Sequence, residues 1–179
     1  MIKKPFIPIV LGTAREGRQS EKVAKAVYAL LKDRADMETQ LIDVKDYIQG
    51  RTIPPWAGDE SINPWREIVA SASAFIIVTP EYNHGYPGEL KILLDQEKDA
   101  YKDKSVAICS TSRGGFGGIR VIENILPVFH AIGLKLISTS ISVSKVEEFP
   151  EDLAKLDEHF KSKVQNIAED LLKSQVIGI

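Results

Sequence analysis

A single cysteine, Cys109, stands in a chain of 179 residues, so neither an intrachain disulfide nor a cysteine-based metal knuckle can form. Histidine is nearly as scarce, and His84, His130 and His159 share no metal-ligand spacing. An excess of one charge is also missing. Lys and Arg total 23 against 25 Asp and Glu, a formal net charge of −2. That balance offers neither the basic stripe of a nucleic-acid binder nor the strongly acidic surface of a charge-docked electron carrier. No apolar stretch approaches the ~18 residues needed to cross a bilayer, so no membrane partner is expected. The opening segment from Met1 to Pro8 has two lysines but lacks the apolar run of a leader. With 44% hydrophobic residues, enough for a sizeable core, the expectation is one cytoplasmic domain over residues 1–179.

What the chain does have is an alternation. Short runs rich in Val, Ile and Leu occur at Phe6–Leu11, Thr39–Val44, Ala74–Thr79, Val106–Cys109 and Leu134–Ile141, as in strands buried on both faces. Helix-period segments separate them. Val23, Val27, Leu30 and Leu31 follow Ser20, a candidate N-cap. Asn63-Pro64 reads as a cap and first-turn proline ahead of Trp65. Leu90, Leu93 and Leu94 follow Pro87-Gly88, while Ile122, Ile125, Leu126 and Phe129 run to a stop at Gly133. The last helix, from Leu153 through Leu156, Phe160, Val164 and Ile167 to Leu171, is expected to open on Glu151 and Asp152. Five strands alternating with five helices imply an α/β doubly wound, three-layer fold with a parallel sheet of order 2-1-3-4-5. Two prolines resist it. Pro8 cannot donate to a ladder, so the first strand is expected to begin at Ile9, and Pro127 should kink or shorten the fourth helix.

In such sheets ligands bind beyond the carboxyl ends of the strands, which directs attention to three turns. The first, Gly12-Thr13-Ala14-Arg15-Glu16-Gly17-Arg18-Gln19-Ser20, gathers hydroxyls, two guanidinium groups and the free N–H groups of a helix start. That combination suits a phosphate. It also allows a plain polar turn with Ser20 as cap and both arginines in solvent. The second turn, Thr79 to Gly88, carries Pro80, Glu81, Tyr82, Asn83 and His84. Its two prolines and two glycines specify a backbone path able to aim N–H and C=O groups at a flat heterocycle. A polar catalytic cluster around His84 is the alternative there. The third, Ser110 to Gly118, holds Ser112, Arg113 and Gly114 among four glycines in five positions. It is either a close-approach ligand loop or a flexible connection.

Near misses narrow the chemistry. Gly12 and Gly17 have Walker A spacing, but Arg18 and Gln19 stand where Lys and Ser/Thr should be, which removes the Mg²⁺ hydroxyl. Ala14 interrupts a G-x-G-x-x-G, so a terminal monophosphate fits better than a dinucleotide pyrophosphate. No C-x₅-R surrounds Cys109, which reads as an inert core thiol, and no G-x-S-x-G elbow supports acyl hydrolysis.

Taken together the turns resemble the NAD(P)H-dependent FMN reductase family of flavodoxin-like quinone and azo reductases, over nearly the whole chain. Gly12–Ser20 resembles the family's phosphate loop, Pro80–Asp95 its P-E-Y-N…P-G-x-L-K…D motif, and Gly114–Arg120 its glycine loop. The resemblance implies that Thr13, Arg15, Gln19 and Ser20 hold the phosphate of FMN with Arg18 close by. It implies further that Pro80, Glu81, Tyr82, Asn83 and His84 contact the isoalloxazine largely through main chain, and that Ser112, Arg113 and Gly114 edge its other side. Lys91 and Asp95 look like packing or interface residues. Ile92 and Gln96 depart from the common Asn and Trp/Tyr of the second motif, and Thr13 replaces the usual Ser.

The activity so implied is a ping-pong transfer of two electrons. NADH or NADPH would deliver a hydride to flavin N5, and a quinone, azo compound, free flavin or metal oxyanion would collect it. The cofactor carries that chemistry, so no protein nucleophile is required. A homodimer or homotetramer is expected, with the helix-three leucines and the Trp56/Trp65 region as candidate contacts. The competing readings are a flavodoxin-like electron carrier, a redox sensor, and a nucleotide switch.

Overall fold

Runs of Val, Ile and Leu without polar relief are stable only when both faces are covered, and the chain satisfies that demand with parallel pairing. The computed structural model describes residues 4–176, so residues 1–3 of the segment inspected for a leader, and 177–179, lie outside the described residues. Strands β1 (Ile9–Leu11), β2 (Leu41–Asp43), β3 (Ala74–Pro80), β4 (Ser105–Thr111) and β5 (Lys135–Leu136) lie in the order β2-β1-β3-β4-β5, with β6 (Ile141–Val143) also on β4. The doubly wound α/β fold read from the sequence is therefore the fold observed. Helices α1 (Ser20–Leu31), α2 (Asn63–Ser71), α3 (Gly88–Leu94), α4 (Ile119–Ile132) and α5 (Glu158–Val176) cover the sheet.

Alternate side chains of the strands feed two separate cores. On one face Ile9, Leu11, Ile76, Val78 and Cys109 meet Val23, Val27 and Leu31 of α1 and Phe160, Val164, Ile167 and Leu171 of α5. On the other, Val10, Ile42, Phe75, Ile77, Val106 and Ile108 meet Trp65, Val69, Leu90, Leu93, Ile125 and Phe129. Within the second core the Trp65 indole N–H donates to the Tyr101 hydroxyl at 2.9 Å, satisfying the polar tip of an otherwise apolar body.

Several local expectations need correction. The first strand does start at Ile9: Ile7 and Ile9 donate to Glu38 and Gln40, while Pro8 between them only accepts, from Ile76 N–H at 3.0 Å. Pro127, in contrast, neither ends nor shortens α4, which runs through it to Gly133. Pro127 and Glu123, whose carbonyl it leaves without its helical donor, are both exposed, so that carbonyl is not sealed from solvent. The expected fifth strand is two pieces. From Val106 to Cys109 is three steps on β4, against five from Leu136 to Ile141 on its neighbour, so the edge bulges out and re-pairs.

Capping also differs. Gln19, not Ser20, is the cap residue of α1, and Ile62, not Asn63, precedes α2. Helix α5 begins at Glu158, where the Asp157 carboxylate accepts from Phe160 N–H at 2.8 Å. Asp152 instead caps the short 3₁₀ turn Leu153–Lys155. The proposed dimer contacts fare worst: Leu90, Leu93, Leu94 and Trp65 are at most 2% exposed within one chain, leaving only Trp56, at 79%, available from that set.

Cys109 is sealed in the first core, and burial pushes its thiol up to about 12. A thiol-specific disulfide reagent at pH 8 is expected to leave the native protein unmodified and to titrate one thiol in guanidinium, since the thiolate is the reacting form. Stoichiometric reaction of the folded protein would contradict the buried placement.

Candidate functional site

β1, β3 and β4 end side by side, so their following loops are forced together. Pro80 pairs in register with Thr111, the Glu81 N–H donates to the Thr111 carbonyl at 2.9 Å, and the Gly12 N–H donates to the Val78 carbonyl at 2.8 Å. Between these loops lies a cavity of about 270 Å³ lined by Arg15, Gly17, Arg18, Gln19, Ser20, Pro80, Glu81, Tyr82, Thr111, Ser112, Arg113, Gly114 and Val146. Ten of the thirteen residues singled out from the sequence line it. A roomier groove of about 520 Å³ runs along α1 past Lys22, Lys25 and Glu151, but it does not draw on the strand ends.

The three remaining candidates support the cavity from behind or beside it. Thr13 is fully buried; its hydroxyl lies 3.2 Å from the Tyr82 hydroxyl and accepts from Arg15 N–H at 3.3 Å, tying the first loop to the second. Asn83 and His84 form the exposed tip of a tight turn in which Tyr82 and Gly85 exchange both backbone hydrogen bonds at 2.9 Å. Their φ angles of 49° and 67° are left-handed, as the mirror-image turn requires, a geometry that Asn tolerates better than His. Helix α4 holds this turn. Asn124 donates to the His84 carbonyl, and the Glu81 carboxylate accepts from Arg120 N–H at 3.1 Å at the start of the helix. Sequence reasoning overlooked Asn124 because an Asn in mid-helix gives no signal of its own.

The two arginines of the first loop differ in kind. Arg18 is turned inward with 5% of its side chain exposed: it donates to Asp43 at 2.8 Å and to the Thr13 carbonyl at 2.6 Å, and also contacts Glu21 at 3.2 Å. Its charge is thereby matched locally. Burial acts against the Asp43 carboxylate, yet the Arg18 hydrogen bond and the Lys45 N–H outweigh it and hold the group below the usual carboxylate range. Arg15 is exposed, 5.4 Å from the centroid of the Tyr82 ring, and has no carboxylate partner among the described residues. Arg113 at the opposite rim pairs with Glu147.

Three wall residues were missed: Gly17, which lies in the first loop between Arg15 and Arg18, Val146 and Thr111. Val146 arrives through the segment after β6, which is stitched to the third loop by Val146 N–H to Ser112 carbonyl at 3.0 Å; so remote a segment carried no motif. Thr111 closes β4, and a hydroxyl at a strand's carboxyl end is the signal that was available for it. Glycine is required at the turn into α4: at Gly118, with φ +80°, a Cβ would stand 2.9 Å from the Thr111 carbonyl.

The donor set fits a flavin mononucleotide. Among the described residues three buried side-chain polar atoms lack a hydrogen-bond partner, and two of them, Ser20 Oγ and Thr111 Oγ1, belong to residues lining this cavity. Ser20 opens α1, where first-turn N–H groups have no intrahelical acceptor and favour an anion. A cavity at the small end of ligand sites accommodates part of such a molecule and leaves the rest at the surface.

Comparison with known proteins gives the same direction. The profile of the family described as NADPH-dependent FMN reductase matches residues 6–148. An NAD(P)H-dependent FMN reductase of Saccharomyces cerevisiae is 24% identical, the alignment covering 90% of this chain and 94% of that protein. A quinone reductase of Pseudomonas putida is 28% identical over 63% of this chain and 62% of its own length, so the match spans somewhat under two thirds of that relative. Among solved structures, a flavoenzyme NAD(P)H:(acceptor) oxidoreductase from Paracoccus denitrificans superposes with a TM-score of 0.72 at 19% identity, covering 95% of this chain and 98% of that one. At that identity the likeness speaks for the fold.

Replacing Asp43 with Asn is expected to destabilise the protein by about 2 kcal/mol at pH 7, because the buried Arg18 guanidinium loses its counter-charge. With a lowered folded-state pKa, the Asp43 contribution is complete above about pH 4 and disappears as pH falls through that lowered value. Denaturant titrations at pH 7 and pH 3 should therefore show a variant deficit that shrinks in acid. An equal deficit at both values would remove the ion pair from the explanation.

Proposed function

Because the chain belongs to the NADPH-dependent FMN reductase family, we propose that it binds FMN in this cavity and uses NADH or NADPH to reduce quinones, azo compounds, free flavin or metal oxyanions. The observation that carries the reading is the partnerless, buried Ser20 hydroxyl at the first turn of α1, with Arg15 beside it uncommitted to any carboxylate among the described residues. A phosphate monoester supplies the acceptor oxygens that both groups lack. When bound, FMN would supply the redox chemistry, a two-electron exchange between the nicotinamide and the acceptor in a ping-pong cycle.

The chain's own residues bind and orient. Arg15, Gln19 and Ser20 hold the phosphate end, the buried Thr13 ties the loop behind them to Tyr82, and Arg18 keeps that loop in shape through Asp43 and the Thr13 carbonyl. Pro80, Glu81, Tyr82, Asn83 and His84 present main chain to one edge of the ring, with Ser112, Arg113 and Gly114 along another. No side chain is assigned as nucleophile or general base. The same reading has the protein working in the cytoplasm on small-molecule acceptors as a homodimer or homotetramer. Exposed apolar side chains at the start of α4, Phe116 at 71% and Ile119 at 52%, support association beside the site.

The purified protein is expected to show flavin absorbance near about 375 and 450 nm, or to gain it on adding FMN, and to bleach with NADPH or NADH under anaerobic conditions. Arg15→Ala and Ser20→Ala should each weaken FMN binding about tenfold, the effect of losing a charge-assisted contact. A protein that stays colourless with FMN would overturn the flavin reading, and a bound flavin that neither nicotinamide reduces would turn it toward an electron carrier.

A further inference from the structure

Three consecutive hydroxyl residues, Ser110 and Thr111 at the end of β4 and Ser112 just beyond it, have side chains that fare differently. Ser110 Oγ donates to the Gly117 carbonyl at 2.8 Å, and Ser112 Oγ donates to the Gly114 carbonyl at 3.2 Å. Thr111 between them is fully buried, and its Oγ1 meets no donor or acceptor. The carbonyl of the same residue is engaged: it accepts from Glu81 N–H, and Gly118 packs against it. A buried, unpaired hydroxyl costs free energy that a valine of the same shape would avoid, and valine is at least as good a strand former.

The residue sits where a ligand explains that cost. Thr111 lines the cavity beside Pro80, its partner in register, while Ser20, the other unpartnered hydroxyl of the wall, lies at the α1 end. We infer that Thr111 is a further cofactor-holding residue, its hydroxyl pairing with a polar atom of the ribityl–ring portion of bound FMN as Ser20 does with the phosphate. The inference rests on the flavin reading above and adds a consequence for stability. Among the described residues two buried hydroxyls, those of Ser20 and Thr111, are unsatisfied, and bound FMN would satisfy both at once.

That arrangement separates a ligand contact from an internal one, because stability and affinity move in opposite directions. In Thr111→Val the flavin-free full-length protein should melt at the wild-type temperature or about 2 °C higher, since an unpaired polar atom has been removed. FMN affinity, measured by quenching of free-flavin fluorescence, should fall about three- to tenfold. Thr111→Ser should do the reverse, with a flavin-free melting temperature a few degrees lower for want of the methyl group and an FMN Kd within about twofold of wild type. A Thr111→Val variant that melts lower without flavin would show that the hydroxyl has an internal or water partner. One with unchanged FMN affinity would equally overturn the assignment. Failure of the wild-type protein to bind FMN would instead sink the flavin reading itself, so the two are told apart by a single titration series.

Discussion

The ladder between β3 and β4 runs without interruption for seven pairs, from Ala74 with Ser105 to Pro80 with Thr111, and every residue in both strands is buried. Two parallel strands of equal length, locked residue to residue, must release their chains at the same level. From that follow the adjacency of the second and third loops and the close packing at Gly118. The shorter β1 joins the same level through Gly12. The cavity is a product of strand length as much as of the loops that line it.

Charge in the first loop is divided between structure and recognition. Arg18 closes a small network with Asp43, Glu21 and the Thr13 carbonyl, linking the end of β1, the end of β2 and the first turn of α1. Arg15, three residues earlier, rests beside the Tyr82 ring with no carboxylate partner among the described residues. One cation fixes the backbone and the other is left for the proposed phosphate. A nearly neutral chain can thus hold an anion without a basic surface.

Sheet order and the three loops that meet at the cavity were legible in the sequence because burial on two faces and turn residues leave strong local patterns. Pro8 was legible for the same reason: a missing donor has one structural meaning in a central strand. The shortening expected at Pro127 does not occur, because its effect depends on whether the freed carbonyl is open to solvent, which sequence does not state. The cap of α1 was misplaced because Ser20 has the right chemistry for capping, yet it lies inside the helix with its hydroxyl meeting no backbone donor. Arg18 and Arg15 could not be told apart until Asp43, 25 positions from Arg18, was seen beside it. Asn124 and Val146 reach the site from remote parts of the chain, where nothing local announces them. The leucines of α3 illustrate the reverse error, since apolar side chains assigned to a partner are consumed by the chain's own core.

The sealing of Cys109 has a meaning beyond packing. Quinones are electrophiles that alkylate thiolates, and the proposed reaction would concentrate them a short distance from the end of β4. Two residues before the cavity wall, the chain's only sulfur nucleophile is closed off from solvent and kept as the protonated thiol. An enzyme handling such compounds would otherwise be open to inactivation by its own substrates. Here the sheet that shapes the site also keeps the vulnerable atom beyond their reach.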